Sequence, residues 1–131
     1  MILLDTHIWL WWLNGTPGKL PIHQVERIEK EEDVFVSAIS CFEIEWLLRH
    51  KRIELDMNQD SWFSSAFIEA GITCLPVTAE IARLAASLPE HHKDPQDRLI
   101  ISTAIIHNLD IISADKQFLL YDEVAHLLVR P

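Results

Sequence analysis

The side chains best placed to do chemistry in this chain are four scattered acids, Asp5, Glu43, Asp97 and Asp115, each beside a short apolar run. Asp5 directly follows Ile2-Leu3-Leu4. Glu43 lies six residues beyond Ser37, which closes the run Val34-Phe35-Val36. Asp97 ends the tetrapeptide Asp94-Pro95-Gln96-Asp97, and Asp115 follows Ile111-Ile112 by three residues. Carboxylates gathered within a few ångströms repel one another, so a fold tolerates such a group mainly when a cation neutralises it. All-oxygen ligation selects a hard ion, Mg²⁺ or Mn²⁺, which can orient an attacking water and stabilise charge on a phosphodiester.

Each acid also has an ordinary local explanation, and the two explanations do not exclude each other. Asp5 can cap the helix that follows it. Glu43 can be a solvated helix residue. Asp94, Pro95 and Asp97 fit N-cap, first and third positions of one helix, and Asp115 suits a cap or turn. Their positions are what they share: three lie at or just beyond the carboxyl ends of apolar runs and one at the head of a buried helix. In an open α/β sheet that edge is where ligands bind.

The elements that must position them follow from periodicity. Residues 2–4, 34–36, 72–75 and 111–112, with a weaker candidate at 124–129, read as short buried strands. Between them, Thr78 caps a stripe of Ile81, Leu84, Ala85 and Leu88 closed by Pro89, and Ile22, Val25 and Ile28 follow Pro21. A helix opening at Asp60-Ser61-Trp62-Phe63 runs to Ala70 and stops at Gly71. In the Glu43 helix, Phe42, Trp46 and Leu47 are expected to supply the core face. The segment 99–106 is apolar nearly all round and must be deeply packed. Strands alternating with helices predict an α/β domain with a mainly parallel sheet.

At 131 residues the chain is expected to be one domain, 1–131. Its 11 basic and 20 acidic residues give −9 at pH 7, the wrong sign for holding nucleic acid by overall field, so any such contact must be local. The densest basic cluster, Arg49-His50-Lys51-Arg52, suits a solvated helix end or an RNA-backbone contact. His91-His92 offers no zinc-ligand spacing. Trp9, Trp11 and Trp12 cannot all face one core, so part of that surface is expected to pack against another chain; base stacking is the alternative, disfavoured by the absence of a flanking basic stripe. Cys41 and Cys74 read as buried small hydrophobes in separate contexts, which suits a reducing compartment. The apolar start lacks a basic leader and carries an acid at position five, so neither a signal peptide nor a membrane span is expected.

Taken in order, four segments resemble the motifs of the PIN-domain family, in particular the toxin ribonucleases of VapBC-type toxin–antitoxin pairs. They are Leu3-Leu4-Asp5-Thr6-His7, Val36-Ser37 through Glu43-Ile44, Leu88 through Asp94-Pro95-Gln96-Asp97-Arg98, and Ile112-Ser113-Ala114-Asp115 through Phe118. The resemblance runs nearly end to end, departing at Gln96, where an aromatic is often found, and at Ser113, where threonine is common. It implies a three-layer α/β/α domain with sheet order 3-2-1-4-5 and a cytoplasmic endoribonuclease using Mg²⁺ or Mn²⁺. It further implies a homodimer, and an antitoxin that places a basic residue in the site. On this reading Asp5 and Asp97 are the principal metal ligands, Glu43 and Asp115 complete the site, Asp94 is a cap or further ligand, and Thr6 and Ser113 are auxiliary. A non-catalytic PIN-like module binding RNA or protein is the alternative. An aspartyl-phosphate enzyme would want a second acid two residues after Asp5, where His7 stands.

Overall fold

Alternation within three residues sets the layering: Ile2 and Leu4 of β1 (Ile2–Leu4) turn to one face of the sheet and Leu3 to the other. The computed structural model describes residues 1–16, 18–91, 94–115, 118 and 121. Among these, β1 is joined by β2 (Val34–Ser37), β3 (Thr73–Leu75) and β4 (Asp110–Ile112) in a parallel sheet of order β3-β2-β1-β4. These four strands keep the expected order; the fifth candidate, at 124–129, lies outside the described residues.

On one face, Ile2, Leu4, Val36 and Ile112 meet Ile8, Trp9 and Leu10 of α1 (Thr6–Asn14), Ile28 of α2 (Ile22–Lys30) and Ile44 of α3 (Ala38–Arg49). Trp62 of α4 (Gln59–Ser64) completes this core. On the other, Leu3 and Ile111 meet Leu88, which closes α5 (Ala79–Ser87), and Ile100, Ile101 and Ala104 of α6 (Pro95–His107). Helices cover both faces of a sheet whose strand β1 is fully buried, as a parallel sheet requires. The fold is therefore the expected three-layer α/β/α.

Three local expectations are corrected. Phe42 and Trp46 do not form the core face of α3: they are 57% and 43% exposed, while Ser40 and Ile44 are buried. The smaller stripe Cys41, Ile44, Leu48 packs inward, because at this end of the sheet there is room for aliphatic side chains and for the Ser40 hydroxyl to meet Thr6. In α2 the inner positions are Gln24 and Ile28. The same helix rotation lets Arg27 pair with Glu31 and Asp110 and carries Ile22 outward to 71% exposure. The fourth helix starts one residue early, at Gln59, with the Asn58 side chain accepting the Ser61 amide as its cap, and widens into a π turn (Ser65–Glu69), seen in the bond from the Ala70 amide to the Ser65 carbonyl.

The sheet order reverses at β1. The chain leaves β1 toward β2 and β3 on one side, and β4 returns on the other. The switch point between β1 and β4 opens a crevice at the strands' carboxyl ends. Leu4 pairs with Ile112, so Asp5 and Ser113 emerge there side by side.

Candidate active site

Asp5 is held at both of its carboxylate oxygens. It caps α1 by accepting the Ile8 amide at 2.9 Å on Oδ1, and its Oδ2 accepts the Ser113 hydroxyl at 2.5 Å. Ser113 Oγ in turn accepts the Asp115 amide at 3.0 Å, so one hydroxyl ties two acids together. Burial pushes the Asp5 carboxyl above the usual aspartate range. The hydrogen bonds from Ser113, Ile8 and Ala114 and the nearby His7 oppose that rise without cancelling it. The next residue, Thr6, is buried and donates to Ser40 Oγ at 2.9 Å, locking the start of α1 against the first turn of α3.

That lock fixes α3, whose cap is Ser37 at the end of β2, and so presents Glu43 to the crevice. Glu43 Oε1 is buried and has no hydrogen-bond partner among the described residues. An orphaned buried acceptor is expensive and calls for a donor or a cation. Opposite, Asp94 caps α6 by accepting the Gln96 amide at 2.9 Å, with Pro95 in the first position and Asp97 in the first turn. Arg98, itself buried, turns the other way and donates to the carbonyls of Ala85, Ala86, Leu88 and Pro89. It closes the end of α5 and anchors the head of α6.

The outcome is a single cleft of about 300 Å³ lined by Asp5, Thr6, His7, Trp11, Glu43, Asp94, Asp97, Ala114 and Asp115. All five acids singled out in the sequence reach it. Among the described residues no group of three or more His, Cys, Asp or Glu side chains is gathered closely enough to hold a metal ion by itself. Neighbouring carboxylates repel one another, and Mg²⁺ needs only one or two of them with waters completing its shell. The all-oxygen donor set of the lining suits such an ion.

Three features of this region were not foreseen from the sequence. His7 and Trp11 line the cleft, although only the phase of α1 reveals that they do; their positions i and i+4 were the available signal. The basic residues 49–52 do not line it, and His50 instead stacks on Trp46 at 4.0 Å. The cysteines are neither separate nor both buried: Cys74 is exposed and Cys41 half-buried, and the influence of each thiol on the other lowers Cys74 to about 7 and raises Cys41. The register Val36↔Cys74 puts Cys74 on the sheet face that Cys41 covers. His91 packs edge-on against Tyr121 at 5.0 Å, and His92 lies outside the described residues.

Comparison with known proteins agrees with this architecture. The chain is 33% identical over 117 residues to Ribonuclease VapC22 of Mycobacterium tuberculosis, covering 88% of each. Its fold is similar to VapBC2 from Rickettsia felis bound to a promoter DNA fragment, with a TM-score of 0.69, 18% identity and 98% of both chains covered. It is likewise similar to FitAcB from Neisseria gonorrhoeae, with a TM-score of 0.68, 20% identity and 100% and 98% of the two chains covered. Residues 2–124 match the PIN domain, and the chain belongs to the PIN-domain family.

Proposed function

We propose that this protein is a divalent-metal-dependent endoribonuclease and the toxin of a toxin–antitoxin pair. The observation that carries the reading is the convergence of five carboxylates, from four separate segments, on one cleft. Its likeness to Ribonuclease VapC22 supports RNA as the substrate.

Asp5 and Asp97 are the central ligands of Mg²⁺ or Mn²⁺, Glu43 and Asp115 complete the set, and Asp94, with one oxygen committed to its cap, is the auxiliary acid. The bound ion supplies positive charge that orients a water and stabilises the developing negative charge on the phosphodiester. The protein's part is to hold its acids still: Ile8 and Ser113 fix both oxygens of Asp5, Ser113 sets the turn that carries Asp115, and Thr6 with Ser40 locks the two helices bearing Asp5 and Glu43. Attack by water leaves a 3′-hydroxyl.

A solved structure of similar fold is a toxin–antitoxin complex from Klebsiella pneumoniae, and a cleft lined by five carboxylates complements a basic antitoxin side chain. We infer such a partner for this chain, a homodimeric assembly, and a cytoplasmic site of action where RNA is available. Among the described residues no helix is long and apolar enough to cross a membrane.

The test is cleavage of a mixed RNA pool with Mg²⁺, Mn²⁺ or EDTA, with fragment ends mapped. Wild type should cut with either metal and not with EDTA, and Asp5→Asn should lose cleavage while keeping its fold. Undiminished cleavage by Asp5→Asn would overturn the assignment.

A further inference from the structure

The acids account for only part of the cleft's lining. The rest is Thr6, His7, Trp11 and Ala114. The Thr6 hydroxyl is spent on Ser40, and Ala114 has no functional group. His7 and Trp11 are different: they stand one turn apart on α1, their rings 5.9 Å apart and tilted by 53°, with His7 exposed and Trp11 half-buried. Trp11 packs its inner part on the core formed by Ile8, Trp9 and their neighbours and leaves the remainder to the cleft.

We propose that His7 and Trp11 form a base-stacking subsite, the specificity-determining wall against which one nucleobase of a single-stranded RNA is held beside the acids. This rests on the ribonuclease reading above. Three observations favour it. A cleft of about 300 Å³ has room for about one nucleotide, at the small end of ligand sites, and not for a duplex. A chain of net charge −9 has no overall field to hold a phosphate backbone, so beyond what the bound ion supplies, affinity must come from uncharged contacts to the base. A flat aromatic face is the standard uncharged contact to an unstacked base, and the neighbouring imidazole can add an edge hydrogen bond.

The subsite is tested by binding, apart from cleavage. Asp5→Asn protein in Mg²⁺ is titrated with a fluorescent single-stranded oligoribonucleotide and with a ribose-phosphate oligomer of the same length lacking bases. The base-bearing strand should bind about tenfold more tightly. Adding Trp11→Leu, which keeps an apolar contact to the core and removes the flat face, should reduce that ratio to about twofold or less. Trp11→Phe should restore much of it, and His7→Ala, at an exposed position, should reduce it in part. Thermal unfolding shows which variants are folded. Equal affinity of the parent for both oligomers overturns the proposal, as does a folded Trp11→Leu protein with the full ratio. If Trp11→Leu does not fold, a full ratio in both Trp11→Phe and His7→Ala overturns it. Failure of wild type to cut any RNA would instead strike the ribonuclease reading, a separate result.

Discussion

Replacing Ser113 by alanine isolates the one hydroxyl that joins two acids of the cleft. It donates to Asp5 Oδ2 at 2.5 Å and accepts the Asp115 amide at 3.0 Å. A hydrogen bond to a charged group contributes roughly 1.5–3 kcal/mol, against about 0.5–1.5 kcal/mol for a neutral pair. At 1.36 kcal/mol per tenfold, loss of a charged bond costs about 10- to 150-fold and of a neutral bond about 2- to 12-fold. Removing an outer partner of a metal ligand typically costs ~10–100-fold, in the charged range. Ser113→Ala should therefore lower kcat/KM for RNA by about 10- to 100-fold, with a matching loss of Mg²⁺ affinity. The sign of the pH effect follows from the same bond. Ser113 holds the Asp5 carboxyl down against burial, so without it Asp5 titrates still higher and the acid limb of the pH–rate profile moves to higher pH. Ser113→Thr keeps the hydroxyl and should keep both rate and profile. An alanine variant with unchanged rate and unchanged acid limb refutes the reasoning.

Three further outcomes are expected. In EDTA, Asp5→Asn should be more stable to urea than wild type at neutral pH. The folded Asp5 carboxyl titrates above its ordinary 3.8, so its stabilising contribution is complete below that pH and is lost as pH rises through the folded value; the variant's advantage should vanish in acid, and a less stable variant at neutral pH would contradict this. Arg98→Ala should cost roughly 3–5 kcal/mol in the same assay, because it strips the donor from four carbonyls at the end of α5, and a loss below about 1 kcal/mol would show that water replaces the guanidinium. Alkylation of Cys74 by iodoacetamide should be half-maximal near pH 7 and shift upward in Cys41→Ala, whereas an identical profile in that variant would deny the influence of one thiol on the other.

The strands and their acids were legible because burial on both faces writes an unbroken apolar run, and a polar residue ending such a run is conspicuous. Asp5 after Leu4 and Asp115 after Ile112 are of this kind. The rotation of α3 was not legible. Side-chain size favoured Phe42 and Trp46 for the interior, but the stripe Cys41, Ile44, Leu48 has equally good helical spacing, and only packing against the sheet decides between them. The π turn depends on how Ala66 and Phe67 seat against Trp9, which no local pattern encodes. The thiol pair was invisible for the same reason, since it is made by the β2–β3 register and not by spacing along the chain.

The sequence left capping and ligation as rival accounts of Asp5 and Asp94, and the structure makes them one account. A carboxylate offers about four acceptor sites. Asp5 gives one to Ile8, one to Ser113 and one to the Ala114 amide, so the cap fixes the group's orientation and still leaves an acceptor for a cation. Asp94 gives Oδ1 to Gln96 in the same way. Capping also turns the N-termini of α1 and α6 toward the cleft, and each carries about half a positive charge. Both ends favour negative charge on the capping carboxylates, and the acceptor that Asp5 keeps beyond its cap suits the divalent cation proposed above. Burial of the Asp5 carboxylate is why neutralising it should stabilise the metal-free protein even as it removes a proposed ligand.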